Sequence, residues 1–307
     1  MKKPSPYVLL ILATVFWGGN FVLGRAVADD IPPSTISLLR WCIGLVVFFP
    51  FVYKRLPSEW PAIRQHWPVV LVMSLTGIAG FNSFVYVALH HTTSINASLV
   101  NSSTPILIFI LSFLFLKDRL HRFQAVGAVL SIAGVLFILT KGSLENILSL
   151  SFNGGDLLMV AAVICWSIYS MLVKQFAGRL PGYTTFFVCI CIGIIILLPF
   201  SIVELFVYER AVHWHVSSIG AMLYFGIFAS IAAFTCWNTA VEEVGAGKAG
   251  IFLNFIPVFA TIFAVLLLGE QVAWYQGVGG LLVAAGVYLS TKVPKTYIEK
   301  SKKKSAV

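Results

Sequence analysis

The sequence predicts an all-α fold: a polytopic membrane protein of ten transmembrane helices built as two inverted five-helix repeats. Three observations carry this reading. Of the 307 residues, 59% are hydrophobic and 11% charged, at a mean hydropathy of +0.91, whereas soluble domains carry roughly 25% charge. Apolar runs long enough to cross about 30 Å of hydrocarbon as helices occur ten times along the chain. The stretch TTSINASLVNSSTPILIFILSFLFLKDRL, residues 92–120, also returns about 150 residues later as EEVGAGKAGIFLNFIPVFATIFAVLLLGEQV.

The expected spans cover residues 7–27, 34–53, 67–89, 93–116, 122–140, 155–175, 182–203, 216–240, 246–268 and 272–291. Lys2 and Lys3 precede the first, which runs into Arg25 with no small-residue cleavage site, so it reads as a retained span and not a signal peptide. The second opens after Pro32-Pro33 and is interrupted by Arg40; the third follows a break marked by Pro57 and Pro61. In the fourth, a half rich in Ser, Thr and Asn gives way at Pro105 to an almost purely apolar half. Gly127 and Gly134 mark the fifth, and Gly142 and Gly154-Gly155 bracket the loop to the sixth, which Lys174 ends. Pro181 opens the seventh, the 204–215 break separates it from the eighth, Pro257 divides the ninth, and Gly279, Gly280 and Gly286 mark the tenth. These spans group as repeats over 1–145 and 152–292, with a basic tail over 293–307 expected to be disordered.

One offset of 152 superposes Pro105 on Pro257, Ala97 on Ala249, Asp118 on Glu270, Gly127 on Gly279 and Gly134 on Gly286. An offset of 149 superposes Trp17 on Trp166, Asn20 on Tyr169, Arg25 on Lys174 and Pro32 on Pro181. Five is odd, so the second repeat enters the membrane from the opposite side, which places a pseudo-two-fold axis in the membrane plane. With the N-terminus inside, 17 of the 21 Lys and Arg residues fall in inner segments and two, Lys141 and Arg210, in outer loops. This bias puts both termini in the cytoplasm and the protein in the cell (plasma or inner) membrane. It also explains the net charge of +9 without nucleic acid.

The residues that carry a family resemblance are now in place. They are the W-G-G-N of Trp17–Asn20, Arg40 in span two, the A-L-x-x-T-[ST]-x-x-x-A-S-L run before Pro105, and the acid closing span four. The second half adds Gly155-Asp156, Trp166, Pro257 and Gly269-Glu270. Together they resemble the EamA branch of the drug/metabolite transporter superfamily over residues 7 to 291. The resemblance implies a ten-helix inverted-repeat carrier that moves small metabolites, amino acids among them, often outward, with no cofactor. Small four-span relatives use a Glu in their first span for proton exchange. Here no acid stands between Tyr7 and Ala28, so that coupling does not carry over and the coupling ion stays open.

The candidates for a substrate cavity are Trp17, Asn20, Asn82, Tyr86, Ser98, Asn101, Trp166, Tyr169, Trp237, Asn238 and Asn254. Ser94, Ser98, Asn101 and Pro105 share one helical face, as do Trp17 and Asn20 in span one, and Trp166 and Tyr169 in span six. They read either as a polar, aromatic cavity wall or as helix packing. Bare amides in hydrocarbon are costly, which favours a cavity for Asn82 and Asn238. Arg40 either meets a substrate carboxylate or snorkels to the nearby surface. Pro105 and Pro257 mark a hinge or a plain kink. Asp156, Glu204, Glu242 and Glu243 read as solvated edge residues, and Asp118 and Glu270 as helix caps. The five cysteines lie in apolar runs without metal-ligand spacing, so no metal is expected. No nucleophile, base or phosphate-loop motif assembles, which speaks against an enzyme. A membrane enzyme acting on lipids, or a scaffold, stands as the alternative; homo-oligomerisation is left open by the glycine-rich spans.

Overall fold

The computed structural model describes residues 4–27, 30–89, 91, 100–117, 121–148, 153–208, 212–269, 271 and 273–292. The expectations for Ser94, Ser98, Asp118, Glu270 and the tail, and for the side chains of Arg25 and Tyr86, lie outside what is described. Among the described residues the chain is helical, and the one isolated bridge joins Ala177 and Leu180.

The first half runs α1 (Pro6–Ala26), α2 (Pro33–Val52), a short α3 (Leu56–Gln65), then α4 (Trp67–Met73), a π-helical segment Ser74–Gly80 and α5 (Phe81–Leu89). It ends with α6 (Thr104–Leu116) and α7 (Arg122–Leu139). After α8 (Leu144–Leu148), the second half runs α9 (Gly154–Gln175), α10 (Gly182–Phe206), α11 (Val216–Tyr224), a second π-helical segment Phe225–Ala232 and α12 (Ala233–Val244). Then come α13 (Ala246–Phe252), a 3-10 turn Leu253–Phe255, α14 (Ile256–Leu268) and α15 (Trp274–Thr291). Eight of these stretches are long and apolar enough to cross a membrane. The two other expected spans fall on α6, with 13 residues, and on α15, whose first turn carries Gln276. Large apolar side chains such as Val46, Phe115, Ile195, Leu266 and Leu281 are more than half exposed, as lipid-facing positions must be.

The repeat is visible in local structure. Each half places one π-helical segment at the same point of its third span, 151 residues apart. Pro105 and Pro257 do not kink a running helix: each stands in the first turn of a new one, where the missing N–H is not needed. The helices they open end at left-handed Lys117 (φ 55°) and Gly269 (φ 68°), which turn the chain sharply back. Gln124 and Gln276 each accept from the backbone N–H three residues earlier, of His121 and Ala273, at 2.9 and 2.8 Å, and so fix the starts of α7 and α15.

Packing follows the same exchange of halves. α1 packs against α12 and α14, and α9 against α5 and α6; α2 packs against the second π segment, and α10 against the first. The pairs α2–α10 and α7–α15 map onto themselves. In α7–α15 the glycines bring backbones together: a Cβ on Gly127 would lie 2.4 Å from the Gly286 carbonyl oxygen, and one on Gly134 2.6 Å from that of Gly279. Ascending numbers on one helix meet descending numbers on the other, so α7 and α15 are antiparallel. α2 and α10 are antiparallel too, since Thr35 meets Glu204 while Phe48 meets Tyr183.

Candidate functional site

The centre of the bundle is aromatic. Trp17, Trp166 and Trp237 form a triangle with ring centroids 5.2 to 5.6 Å apart. Phe234 caps it, 5.3 Å from Trp166 and 5.1 Å from Trp41, and stacks on Phe186 at 5.5 Å. Edge-to-face contacts of this kind stabilise by about 0.5–1.5 kcal/mol each beyond burial. All six rings are buried. Trp17 Nε1 donates to the Ala229 carbonyl of the second π segment at 3.0 Å, and Trp237 Nε1 to Ser170 Oγ at 3.3 Å, whereas Trp166 Nε1 has no partner. The cluster plugs the molecule.

A narrow, shallow cleft enters one end of the bundle toward this cluster. Its mouth lies at Phe176, Leu180, Gly182 and Glu242, and its floor at Tyr169, Phe186 and Asn238. That end also carries the start of α1 and the junctions between α2 and α3, α6 and α7, and α12 and α13. At the floor Asn238 Nδ2 donates to the Tyr169 hydroxyl oxygen at 2.8 Å, and the hydroxyl donates to Asn238 Oδ1 at 3.1 Å. Thr185 Oγ1, in the wall, has no partner. At the mouth Lys174 Nζ donates to the Glu242 carbonyl at 2.6 Å, so a cation and a carboxylate stand together there. Glu242 is half-buried and lines the cleft, a correction to its reading as a solvated edge residue.

Beyond the plug, toward the other end, lies Arg40. It is 2% exposed, so it does not snorkel. Its Nε donates to Ser230 Oγ at 2.8 Å, and Nη1 faces Asn82 Oδ1 at 3.4 Å. Asn82 Nδ2 donates in turn to the Ile78 carbonyl at 3.3 Å. Arg40 therefore ties one π segment to the other through Ser230 and Asn82. Such segments carry an extra residue per turn and recur at functional sites.

Both ends of α10 are fastened to the first half, one to α2 and the other to α3. At one, Glu204 Oε2 accepts from the Thr35 backbone N–H at 2.9 Å and from its hydroxyl at 3.3 Å, with Ser201 Oγ 3.2 Å away from that hydroxyl. At the other, the Thr184 hydroxyl donates to the Glu59 carboxylate. Thr35 and Thr184 are 149 apart, the offset that relates Trp17 to Trp166, and each stands in the first turn of its helix, where free N–H groups favour an anion. Glu204 is buried, which corrects its reading as a solvated residue. Asp156 is corrected likewise: it is buried and accepts from the Asn153 N–H at 2.7 Å while Asn153 caps α9.

Of the expected cavity residues, Tyr169 and Asn238 line the cleft, and Trp17, Trp166 and Trp237 form the plug above it. Asn82 sits on Arg40. Asn20 is half-buried with its Oδ1 unpartnered, and Asn101 is half-buried at the break before α6. Asn254 lies apart, donating to Ser131 Oγ at 2.7 Å where the turn before α14 packs on α7. Ser98 and the Tyr86 side chain are outside the described residues. Thr35, Thr184, Glu59 and Ser230 were not singled out in the sequence, although the 149 offset pairs the two threonines.

Comparison with known proteins places this architecture. The EamA-like transporter family profile matches the chain twice, over residues 4–140 and 153–292. The transporter YyaM of Bacillus subtilis, named as uncharacterized, is 28% identical over the whole of both chains. An uncharacterized transporter of Archaeoglobus fulgidus is 27% identical over 93% of this chain and 96% of its own. YetK of Bacillus subtilis, also named as an uncharacterized transporter, is 28% identical over 96% and 90%. A solved crystal structure superposes with a TM-score of 0.78 over 93% of this chain and 96% of that one; at 22% identity the likeness is one of fold. With the profile covering both halves, the chain is a multi-pass membrane transporter of the drug/metabolite type and belongs to the EamA-like transporter family.

Proposed function

We propose that the protein is a secondary carrier that moves small organic solutes by alternating access, as an exporter in the plasma membrane with both termini in the cytoplasm. The two halves, 1–145 and 152–292, act as inverted repeats, and the tail over 293–307 stays on the cytoplasmic side. The observation that carries this is that α10 is fastened to the first half at both ends. α2 and α10 run antiparallel; Glu204 of α10 holds Thr35 of α2 at one end, and Thr184 of α10 holds Glu59 of α3 at the other. Releasing one end while keeping the other turns a single structure into two conformations of opposite exposure, the use that inverted repeats find in transporters.

The cleft supports the direction. It opens on the end that carries the α1 start and the basic loops Lys54-Arg55 and Arg122, the side positive charge keeps in the cytoplasm. An exporter loads there. Solute entering would meet Glu242 and Lys174 at the mouth and the Tyr169–Asn238 pair at the floor, with the tryptophan triangle blocking the onward path. The substrate is a small organic molecule such as an amino acid or a related metabolite, and the bilayer is the solvent.

Flux in proteoliposomes tests the proposal. Purified protein, loaded with amino acids and small amines on one side, should exchange at least one of them, with and without a pH gradient. Crosslinking Thr35→Cys to Glu204→Cys in a cysteine-free background should stop exchange, and reduction should restore it. Exchange that persists through a complete crosslink would overturn the mechanism.

A further inference from the structure

We propose that Arg40 is the docking point for the carboxylate of a small monocarboxylate solute; this rests on the carrier reading above and names its substrate class. A guanidinium presents five N–H donors in a planar fork. Here Ser230 takes one and Asn82 faces another at 3.4 Å, and both are neutral. Among the described residues the other guanidinium N–H groups make no hydrogen bond, the guanidinium carbon stands 5.5 Å from the Trp41 ring centroid, and the one ion pair is between His215 and Asp30. A charge held inside a bundle is ordinarily paired or turned to water. Arg40, 2% exposed, has neutral partners only: Ser230, Asn82 and the face of the Trp41 ring.

The surroundings are also short of partners. Ser37 and Trp41 stand three residues before and one after Arg40, on or beside the same face of α2. Ser37 Oγ and Trp41 Nε1 are buried with no hydrogen-bond partner. Buried polar groups are nearly always satisfied, so two unpartnered donors within one turn of the guanidinium on α2 suit a place that receives something. Hydroxyl, indole N–H and guanidinium all donate, which suits an oxyanion. One fixed positive charge matches one negative charge; a phosphate dianion would leave the pair unbalanced in a low-dielectric setting. The planar, two-oxygen carboxylate also fits the guanidinium fork.

The position couples binding to motion. A carboxylate taken up by Arg40 competes with the long Asn82 contact, the link from Arg40 to the first π segment.

The test uses the full-length protein in detergent and in proteoliposomes. Propionate, hexanoate and phenylacetate are each titrated beside their neutral carboxamides, with tryptophan fluorescence as the readout. Wild type should bind at least one acid, and its amide at least about tenfold more weakly, as expected when a buried charge loses its partner. Arg40→Gln should abolish that preference. Asn82→Asp keeps Arg40 and puts a carboxylate where a neutral amide now faces it, so it should fold at least as stably as wild type yet lose acid binding. Equal binding of acid and amide by wild type, no acid bound at all, or acid binding unchanged in Asn82→Asp would each overturn the proposal. Flux of neutral solutes and amines in the same liposomes separates the outcomes. If these move while the acids fail, the carrier stands and the carboxylate site falls.

Discussion

Substituting alanine for Gly127 probes the antiparallel seam on which the inverted arrangement depends. The added Cβ would sit 2.4 Å from the Gly286 carbonyl oxygen and 2.8 Å from the Ser290 nitrogen, against ordinary contact from 3.4 Å, so α7 and α15 must part locally by about 1.0 Å. A gap of that size forfeits about a quarter to a half of each van der Waals contact it opens, and forced overpacking costs about 1–3 kcal/mol. Small residues at membrane helix crossings serve this close approach. Gly127→Ala should therefore destabilise by about 1–3 kcal/mol. Gly286→Ala, whose Cβ would meet the Gly127 oxygen at 2.5 Å, should do the same. The double variant should cost less than the two together, since the first methyl has already parted the helices, with a coupling of about 0.5–3 kcal/mol. Gly277→Ala on the same helix meets nothing within 4 Å and serves as the control. Reversible unfolding in mixed micelles is the assay. Additive losses, or a Gly127→Ala variant as stable as the control, would refute the seam.

Other outcomes are expected. Glu204→Gln weakens the cap on α2 and should lower stability by about 1 kcal/mol, with faster maleimide labelling of Asn20→Cys. Glu59→Gln should do the equivalent for Asn238→Cys, and an unchanged labelling rate in either would count against the fastenings. Tyr169→Phe removes an interhelical bond worth about 0.6 kcal/mol in a membrane, so thermal stability should barely shift while solute exchange falls several-fold. Equal loss of both would make the pair structural. Asn254→Ala and Ser131→Ala break one contact, so each should destabilise by about 0.6–1.7 kcal/mol without adding to the other; solute selectivity should stay as in wild type.

Much of this architecture was legible from the chain. Hydropathy located the eight stretches long and apolar enough to cross a membrane, and Trp17 and Trp166, paired by one offset, meet at the centre. Span-interior polarity singled out Asn82, Asn238 and Tyr169, because amides and phenols in hydrocarbon need partners. The limits came from partners distant in sequence. Glu204 lies near the end of an apolar run and looks solvated; only the approach of α2, 169 residues earlier, buries it. Asn254 is as polar as Asn238, and what separates them is that one finds Ser131 and the other a cleft. The π segments have no composition of their own, since SLTGIAG and FGIFASIA read as ordinary helix. Their matching places in the two halves emerge from packing against α10 and α2. The repeat nonetheless held an unused signal, for Thr35 and Thr184 follow Pro32 and Pro181 at one spacing.

The most direct measurement is accessibility from each side under a one-ended lock. In a cysteine-free background, Thr184→Cys and Glu59→Cys are joined by a crosslink, and single cysteines at Asn238 or Asn20 are labelled with a membrane-impermeant maleimide from either face. Locking that end should slow labelling of Asn238→Cys from the cleft face and speed labelling of Asn20→Cys from the opposite face. If the two rates change independently, or both cysteines label from one face whatever the lock, the two-sided account is contradicted.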